Sequence, residues 1–458
     1  MGRERVNRLV GRGLACAVGL AAGLAGGPGL AAGGDAAVEP TPSGRIAASL
    51  PDPGLRDLVA EALERNPGVA VARALAQAAR LQAPQAGALP DPMLGATAFV
   101  SRPETRVGPQ DLVASVSQKL PWFGKRGLRQ QGALQHAAAL DAGVEARRLE
   151  LVTATRRLYY EIGFLDAWSK VVEADRETLG HYEELARARY AAGVGIDQAV
   201  VKIQAEITRD DARLLDIASR RASLAAALNA LRDQPQSTPL PPPALPAYGE
   251  AALDRQALRE RALALRPEMA RAGSELARAE TGIDLARKEY EPDVTLGAAY
   301  TWVGRRGDAA GIALPPPDDG KDVFSLSASI NLPIQRGRLK AGVEEAAELK
   351  RAAGEGKRAV AAEIDRALGE LTERVALLWP QLHLLRDVLA IQAEQSLRSA
   401  EAGYAAGSLG ALDLLDAERV LLEVRTASER TNADYAIALA RLEGTVGEPL
   451  HTTEGDPR

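Results

Sequence analysis

The chain has 458 residues, of which 26% are charged, 46% hydrophobic and 4% aromatic, and its net charge is −5. That balance disfavours a nucleic-acid binder, which carries a basic surface. A single cysteine excludes an intrachain disulfide framework and a cysteine-rich metal site, and His136, His181, His383 and His451 lie far apart. Beyond Gly34 no apolar run approaches the roughly 20 residues of a transmembrane helix, which excludes a multispan helical pump.

Residues 1–32 read as a secretory signal peptide. Arg3, Arg5, Arg8 and Arg12 precede an apolar, small-residue stretch, and Leu30-Ala31-Ala32 places cleavage near Ala32. Cys16 follows Leu14-Ala15, but the apolar stretch runs past it, so it reads as part of the discarded segment and not as a lipidation site. Residues 33–52 form a linker.

The remainder is doubled. Pro90-Asp91 recurs as Pro292-Asp293, Leu94-Gly95-Ala96 as Leu296-Gly297-Ala298, Leu120-Pro121 as Leu332-Pro333, and Tyr190-Ala191-Ala192-Gly193 as Tyr404-Ala405-Ala406-Gly407. The repeats span 53–232 and 251–445. Between them lies 233–250, with Pro235, Pro239, Pro241, Pro242, Pro243 and Pro246, an extended linker that cannot be helix. A tail, 446–458, follows. Each repeat reads helix, strand, strand, long helix, turn, return helix.

The first helical stretch, about 54–87, breaks at Pro67 with Asn66 as a cap; its counterpart, about 251–290, breaks at Pro267. Strands are expected at about 93–101, 111–120, 294–303 and 323–332. In the third, Val294, Leu296, Ala298, Tyr300 and Trp302 alternate with Thr295, Gly297, Ala299 and Thr301. Runs of about ten residues suffice to cross a bilayer as tilted strands. Trp122, Phe123, Tyr300 and Trp302 lie at strand ends, where interfacial aromatics belong. A soluble sandwich uses the same alternation, but the neighbouring helices are too long and polar to cap one. If the strands are transmembrane, their edges cannot stay open in hydrocarbon, and a membrane barrel needs about eight strands at least. Oligomerisation then follows. Two chains would give a barrel filled by side chains; three would give twelve strands and leave a lumen.

Long helices are expected at about 125–190 and 338–404, each about 100 Å long at 1.5 Å per residue, with a kink at Pro380. Leu149, Val152, Leu158, Ile162 and Leu165 recur at coiled-coil-like spacings. Both helices end in glycine turns, after which return helices run at about 197–232 and 411–444. Lys119, Lys125 and Arg126 read as ordinary interfacial charges, and Asp318-Asp319 as loop charges. No Walker loop, HExxH or Gly-x-Ser-x-Gly is present, so the chain reads as a non-enzyme without a cofactor or metal.

The doubled architecture, the Leu-Pro-Trp-Phe-Gly-Lys run at 120–125, the two Tyr-x-x-Gly turns and the run Leu412-Asp413-Leu414-Leu415-Asp416-Ala417 together resemble the TolC-like outer membrane efflux proteins of Gram-negative bacteria. The resemblance covers about 50–448. It implies a mainly α fold with a small β part: a homotrimer whose twelve-stranded outer-membrane barrel continues as a periplasmic helical tunnel. It also implies outer-membrane lipid around the barrel, and a periplasmic adaptor and an inner-membrane resistance-nodulation-division pump as partners. The chain itself would be a passive exit duct. The leading run looks closer to the heavy-metal cation branch than to the drug branch.

Residue by residue, Asp413 and Asp416 match the acidic constriction; three residues apart, they share a helix face. A threefold axis would make them two carboxylate rings that favour cations. Helix N-terminal carboxylates are also favoured by the macrodipole alone. Tyr404 matches a tip tyrosine that helps hold the tunnel shut, with Tyr190 its counterpart. The basic partner expected five residues after it is Leu409, which puts a closing network of that form in doubt. Gly193, Val194, Gly195, Gly407, Ser408 and Leu409 match the adaptor-contact turns. Two other readings compete: the exit component of a type I protein secretion system, and a periplasmic coiled-coil adaptor. The adaptor has a single hairpin flanked by β-rich domains, whereas here the hairpin appears twice.

Overall fold

The computed structural model describes residues 41–193, 197–246, 248–450 and 452–454, the last three as backbone alone. The signal-peptide expectation, Cys16, Val194 and Gly195 lie outside the described residues. The chain divides into two compact units.

One unit comprises Gln82–Ala133 and Ala279–Leu349. It holds a five-stranded antiparallel sheet built from β1 (Met93–Ala98), β3 (Gly108–Leu120), β5 (Val294–Val303) and β6 (Val323–Ile330) in that spatial order, with β2 (Glu104–Thr105) paired to β3. The third expected strand is reproduced to the residue; the first and fourth end earlier, and the second starts earlier because it extends into the β2 hairpin. Register sorts the side chains into cross-strand rows. Leu94, Val116, Ala298 and Leu326 form one row, and Ala96, Ala114, Tyr300 and Phe324 another. On the opposite face, Gly95, Ser115, Ala299 and Ser325 align. Every residue of β1 and β6 is exposed, including Leu326 at 76%. Gly108 has φ +125°, and a Cβ there would meet the Gly304 carbonyl oxygen at 1.8 Å, so the loops after β2 and β5 touch backbone to backbone.

The run at 120–125 is a junction rather than a surface feature. Gly124, at φ +88°, turns the chain into the helix that begins at Lys125. Lys125 is 1% exposed, which overturns its reading as an interfacial charge. Its Nζ donates to Asp293 Oδ1 and to the Glu291 carbonyl, both at 2.9 Å. Asp293 also accepts from the Trp122 N–H at 3.1 Å and pairs with Lys119 at 3.2 Å. Arg126 is likewise engaged, donating to the Gly87 carbonyl at 2.8 Å. Phe123 is exposed, and its ring meets Trp122 edge-on at 5.9 Å. The Tyr300 and Trp302 rings meet edge-on at 4.8 Å.

The other unit comprises Pro40–Leu81, Leu134–Arg278 and Lys350–Arg458. Helix α1 (Pro42–Ala48) occupies part of the expected linker, capped by the Thr41 hydroxyl. Helices α2 (Pro53–Arg65) and α3 (Pro67–Gly87) meet at Asn66, whose Oδ1 accepts from the Gly68 N–H at 2.9 Å, the cap read from the sequence. Helix α4 runs from Lys125 to Ala191 and α5 from Asp197 to Leu231. After the extended linker come α6 (Arg255–Leu265) and α7 (Pro267–Lys288), divided at Pro267 as expected. A short α8 (Ala309–Ala313) belongs to the loop between β5 and β6. Helix α9 (Arg336–His383) contains Pro380 and passes into a π-helical turn, Leu384–Leu389, before α10 (Ala390–Ala406). Proline removes a main-chain donor, and a π turn is one way the ladder absorbs the defect. Helix α11 (Ala411–Val446) completes the set.

A two-stranded sheet was not expected from the sequence: β4 (Tyr248–Ala251) pairs antiparallel with β7 (Thr452–Glu454). Among the described residues, four apolar clusters fill this unit. Two of them join α4 or α9 to α11 through residues such as Tyr159, Leu371, Ile437 and Leu442. Arg156, 2% exposed, pairs with Glu443 at 2.5 Å.

The junction generates a prediction. Burial alone would raise the Asp293 carboxyl, but the bonds from Lys125, the Trp122 N–H and Lys119 outweigh it and hold it at about 2. Its folded value lies below the unfolded one, so its stabilisation is present above about pH 4 and is lost as pH falls towards 2. Asp293→Ala, which strands a buried ammonium, should cost about 3 kcal/mol in thermal unfolding in detergent. Lys125→Met added to Asp293→Asn should recover most of it; no recovery would mean that the pair is not what the junction depends on.

Candidate functional site

At the ends of the long helices, four helices of the second unit contribute to one core. Leu179, Tyr182 and Ala186 of α4 pack with Val200 and Ile203 of α5, Leu397, Ala400 and Tyr404 of α10, and Leu414, Leu415 and Leu421 of α11. Gly407, at φ +81°, closes α10 in the left-handed conformation, and Gly193, at φ +73°, does the same after α4. The Ser408 and Leu409 amides both return to the Gly403 carbonyl, at 2.9 and 3.1 Å. A Cβ on Gly403 would lie 2.6 Å from Leu409 Cδ1, so the Leu409 side chain folds over that glycine. This apolar closure commonly accompanies such a turn and gives Leu409 a structural role.

Tyr404 is 5% exposed, whereas its counterpart Tyr190 is 52% exposed, so the two matched turns differ in their packing. The Arg189 guanidinium lies 4.8 Å from the centre of the Tyr404 ring and donates to the Tyr404 carbonyl. A cation from α4 thus lies against Tyr404, although position 409 offers none. Tyr182 donates to Glu401 at 2.5 Å, a second tie between α4 and α10. Sequence reading missed both, because the partners are more than 200 positions apart.

Asp413 and Asp416 are exposed and share the wall of a cleft of about 490 Å³ with Lys202, Glu206, Arg209 and Arg419. Asp413 Oδ2 accepts the Gly410 N–H at 2.9 Å, so it caps its own helix. Arg419 donates to Glu206 at 2.8 Å, and Arg209 donates to the same carboxylate. The cleft is thus of mixed charge within one chain. Trp122, Phe123, Tyr300 and Trp302 belong to the other unit. Among the described residues no helix is long and apolar enough to cross a membrane, and no group of three or more His, Cys, Asp or Glu side chains is placed to hold a metal ion.

The chain thus combines long helices closed by glycine turns with a small antiparallel sheet that has one apolar face. A family model described as outer membrane efflux protein matches residues 58–233 and 258–448, and the chain belongs to that family. Nodulation protein T of Rhizobium leguminosarum bv. trifolii is 23% identical over 420 residues, 86% of each chain. The fold is similar to that of the outer membrane protein VceC of Vibrio cholerae, with a TM-score of 0.71 and 24% identity, covering 86% of this chain and 96% of that one. It is also similar to the open state of the MtrE outer membrane channel of Neisseria gonorrhoeae, with a TM-score of 0.70 and 23% identity, covering 86% and 89%. The family and these neighbours are channel proteins rather than enzymes.

The Arg189 contact is testable. A cation–π contact near the surface contributes about 0.5–1 kcal/mol, so Arg189→Ala should expose the 404–410 turn about two- to fivefold more often. Limited proteolysis at that turn should accelerate accordingly, with Arg189→Lys intermediate. An unchanged rate would mean that the contact contributes nothing to closing the turn.

Proposed function

We propose that this chain is the exit duct of a tripartite efflux system: a homotrimer in the outer membrane of a Gram-negative bacterium that passively conducts what an inner-membrane pump delivers through a periplasmic adaptor. The observation that carries the reading is the sheet. Strands β1 and β6 have no partner on their outer edges among the described residues. One sheet face carries exposed Leu94, Phe324 and Leu326, and the other carries Ser, Thr and Gly. An open edge beside an apolar face is untenable in hydrocarbon unless another chain pairs with it. Three copies supply twelve strands from β1, β3, β5 and β6, and the small polar face then lines a wet lumen. In this reading the two repeats, 53–232 and 251–445, each give two strands and one hairpin to the assembly. Trp122, Phe123, Tyr300 and Trp302 sit at the lipid interface.

The hairpin ends then face the periplasm. Gly193, Val194, Gly195, Gly407, Ser408 and Leu409 form the adaptor contact, and Tyr404, with Tyr190, belongs to the closing tip. Asp413 and Asp416 line the constriction, where a threefold axis makes carboxylate rings that favour cations; the exported substrate is then heavy-metal cations or drugs that pass without tight binding.

Single-channel recording in planar bilayers tests the reading. Stable trimeric pores are expected, with a cation preference that falls severalfold in Asp413→Ala/Asp416→Ala. Pores of unchanged selectivity would remove the two carboxylates from the conducting path. Folded trimers that form no pore would overturn the duct itself.

A further inference from the structure

The apolar positions of the helical unit follow alternating steps of three and four. On α4 the series is Val172, Asp175, Leu179, Tyr182 and Ala186; on α5 it is Ile203, Ile207, Asp210, Leu214 and Ile217; on α11 it is Leu414, Glu418 and Leu421. Each series therefore has a carboxylate at a position that packing reserves for an apolar side chain. Asp210 is fully buried, Glu418 is 4% exposed, and Asp175 is half-buried. The three converge: Asp175 lies within hydrogen-bonding reach of both Glu418 and Asp210.

The charges around them do not balance. From α5, Arg213 donates to Asp210 Oδ1 at 2.6 Å, while Glu206 adds a further negative charge. From α11, Arg419 is engaged with Glu206. Arg425 of α11 and Arg398 of α10 line the same cleft as Asp175 and Glu418, but both donate to Glu394 of α10. From α4, Tyr182 faces the cluster while donating to Glu401 of α10. Of the three carboxyl groups, only that of Asp210 thus has a cation bonded directly to it among the described residues. Asp210 Oδ2 and Glu418 Oε1 are buried and have no donor. A buried carboxylate oxygen without a donor is costly, and adjacent carboxylates in a desolvated site cannot all ionise. A proton held on a carboxyl oxygen supplies the missing donor.

We propose that Asp175, Asp210 and Glu418 form a proton-held latch that zips α4, α5 and α11 together at this layer and releases them when the protons leave. It concerns the packing of one chain's own helices and stands whether or not the duct reading holds. Burial, then the hydrogen bond and charge of Glu418, push Asp175 up to about 8, with Asp210 and Arg213 pulling the other way. Burial and Asp175 push Asp210 up to about 6 against the pull of Arg213. Burial, with the charges of Asp210 and Glu206, also raises Glu418, although its bond to Asp175 opposes this. Folded values above the unfolded ones mean that the packing contribution is full below about pH 4 and is lost as pH rises through 6 and 8.

Hydrogen–deuterium exchange on the intact protein in detergent, expressed as protection factors, tests this. Between pH 6.5 and 9, protection of segments 170–182, 203–214 and 414–424 should fall about tenfold or more, the equivalent of one proton's differential binding over one pH unit. Segment 360–375, packed in a separate core, should hold. Glu418→Gln, which offers a permanent amide donor, should flatten the response, as should Asp210→Asn. Protection independent of pH in the natural sequence, a parallel loss in 360–375, or a Glu418→Gln response like that of the natural sequence would each overturn the latch. Recovery of protection at pH 9 on adding calcium would also overturn it, by making the cluster a cation site. If neither variant folds, the pH series on the unaltered protein decides alone.

Discussion

The ion pair between Lys125 and Asp293 sets the geometry of the strand-to-helix junction. An ammonium 1% exposed has lost its water and must find an anion. Asp293 supplies it while accepting the Trp122 N–H, and its own N–H donates to Asn331 Oδ1. One residue, Asp293, therefore gathers the end of β3 and the start of α4 through its carboxylate, and the end of β6 through its backbone, at the start of β5. Register follows from this anchoring. A slip of one residue between β3 and β5 would move every apolar side chain to the face now occupied by serine, threonine and glycine. The left-handed Gly124 serves the same end, turning the backbone into the helix from whose first residue Lys125 reaches the segment that leads into β5.

What could be read in the sequence was what repeats locally. Alternation over ten residues marks β5 to the residue, and Pro67, Pro267, Gly193 and Gly407 punctuate the helices where a missing donor or a left-handed turn requires it. What could not be read depended on partners distant in the chain. Strand β4 is four residues long in a proline-rich linker, and β7 lies three residues long near the end of the chain; neither has room for a period. Lys125 reads as a surface charge until Asp293, 168 positions away, is brought beside it. The pairing of Arg189 with Tyr404 was hidden for the same reason, although Arg189 immediately precedes the turn that drew notice. The resemblance implied a partner five residues later and so pointed to Leu409, whose side chain lies over Gly403.

The carboxylates at core positions are a different case, because their signal was present in the sequence. Asp175, Asp210 and Glu418 each interrupt an apolar series at the expected step, and a polar residue there gives up stability for registry or for responsiveness. Such residues escape notice in a long helix rich in Asp and Glu, since the phase of the series decides which of them point inward.

Helices α4 and α11 therefore meet through two kinds of buried charge. At one layer Arg156 faces Glu443, opposite charges that pair directly. At another, Asp175 faces Glu418, like charges that coexist only while a proton lies between them. Substituting apolar residues at either layer could stabilise the packing, since buried ion pairs are seldom the most stable solution. The first pairing fixes which residues of the two helices stand opposite each other. The second makes their adhesion conditional on the solution around them, and only a cluster deficient in cations can do so.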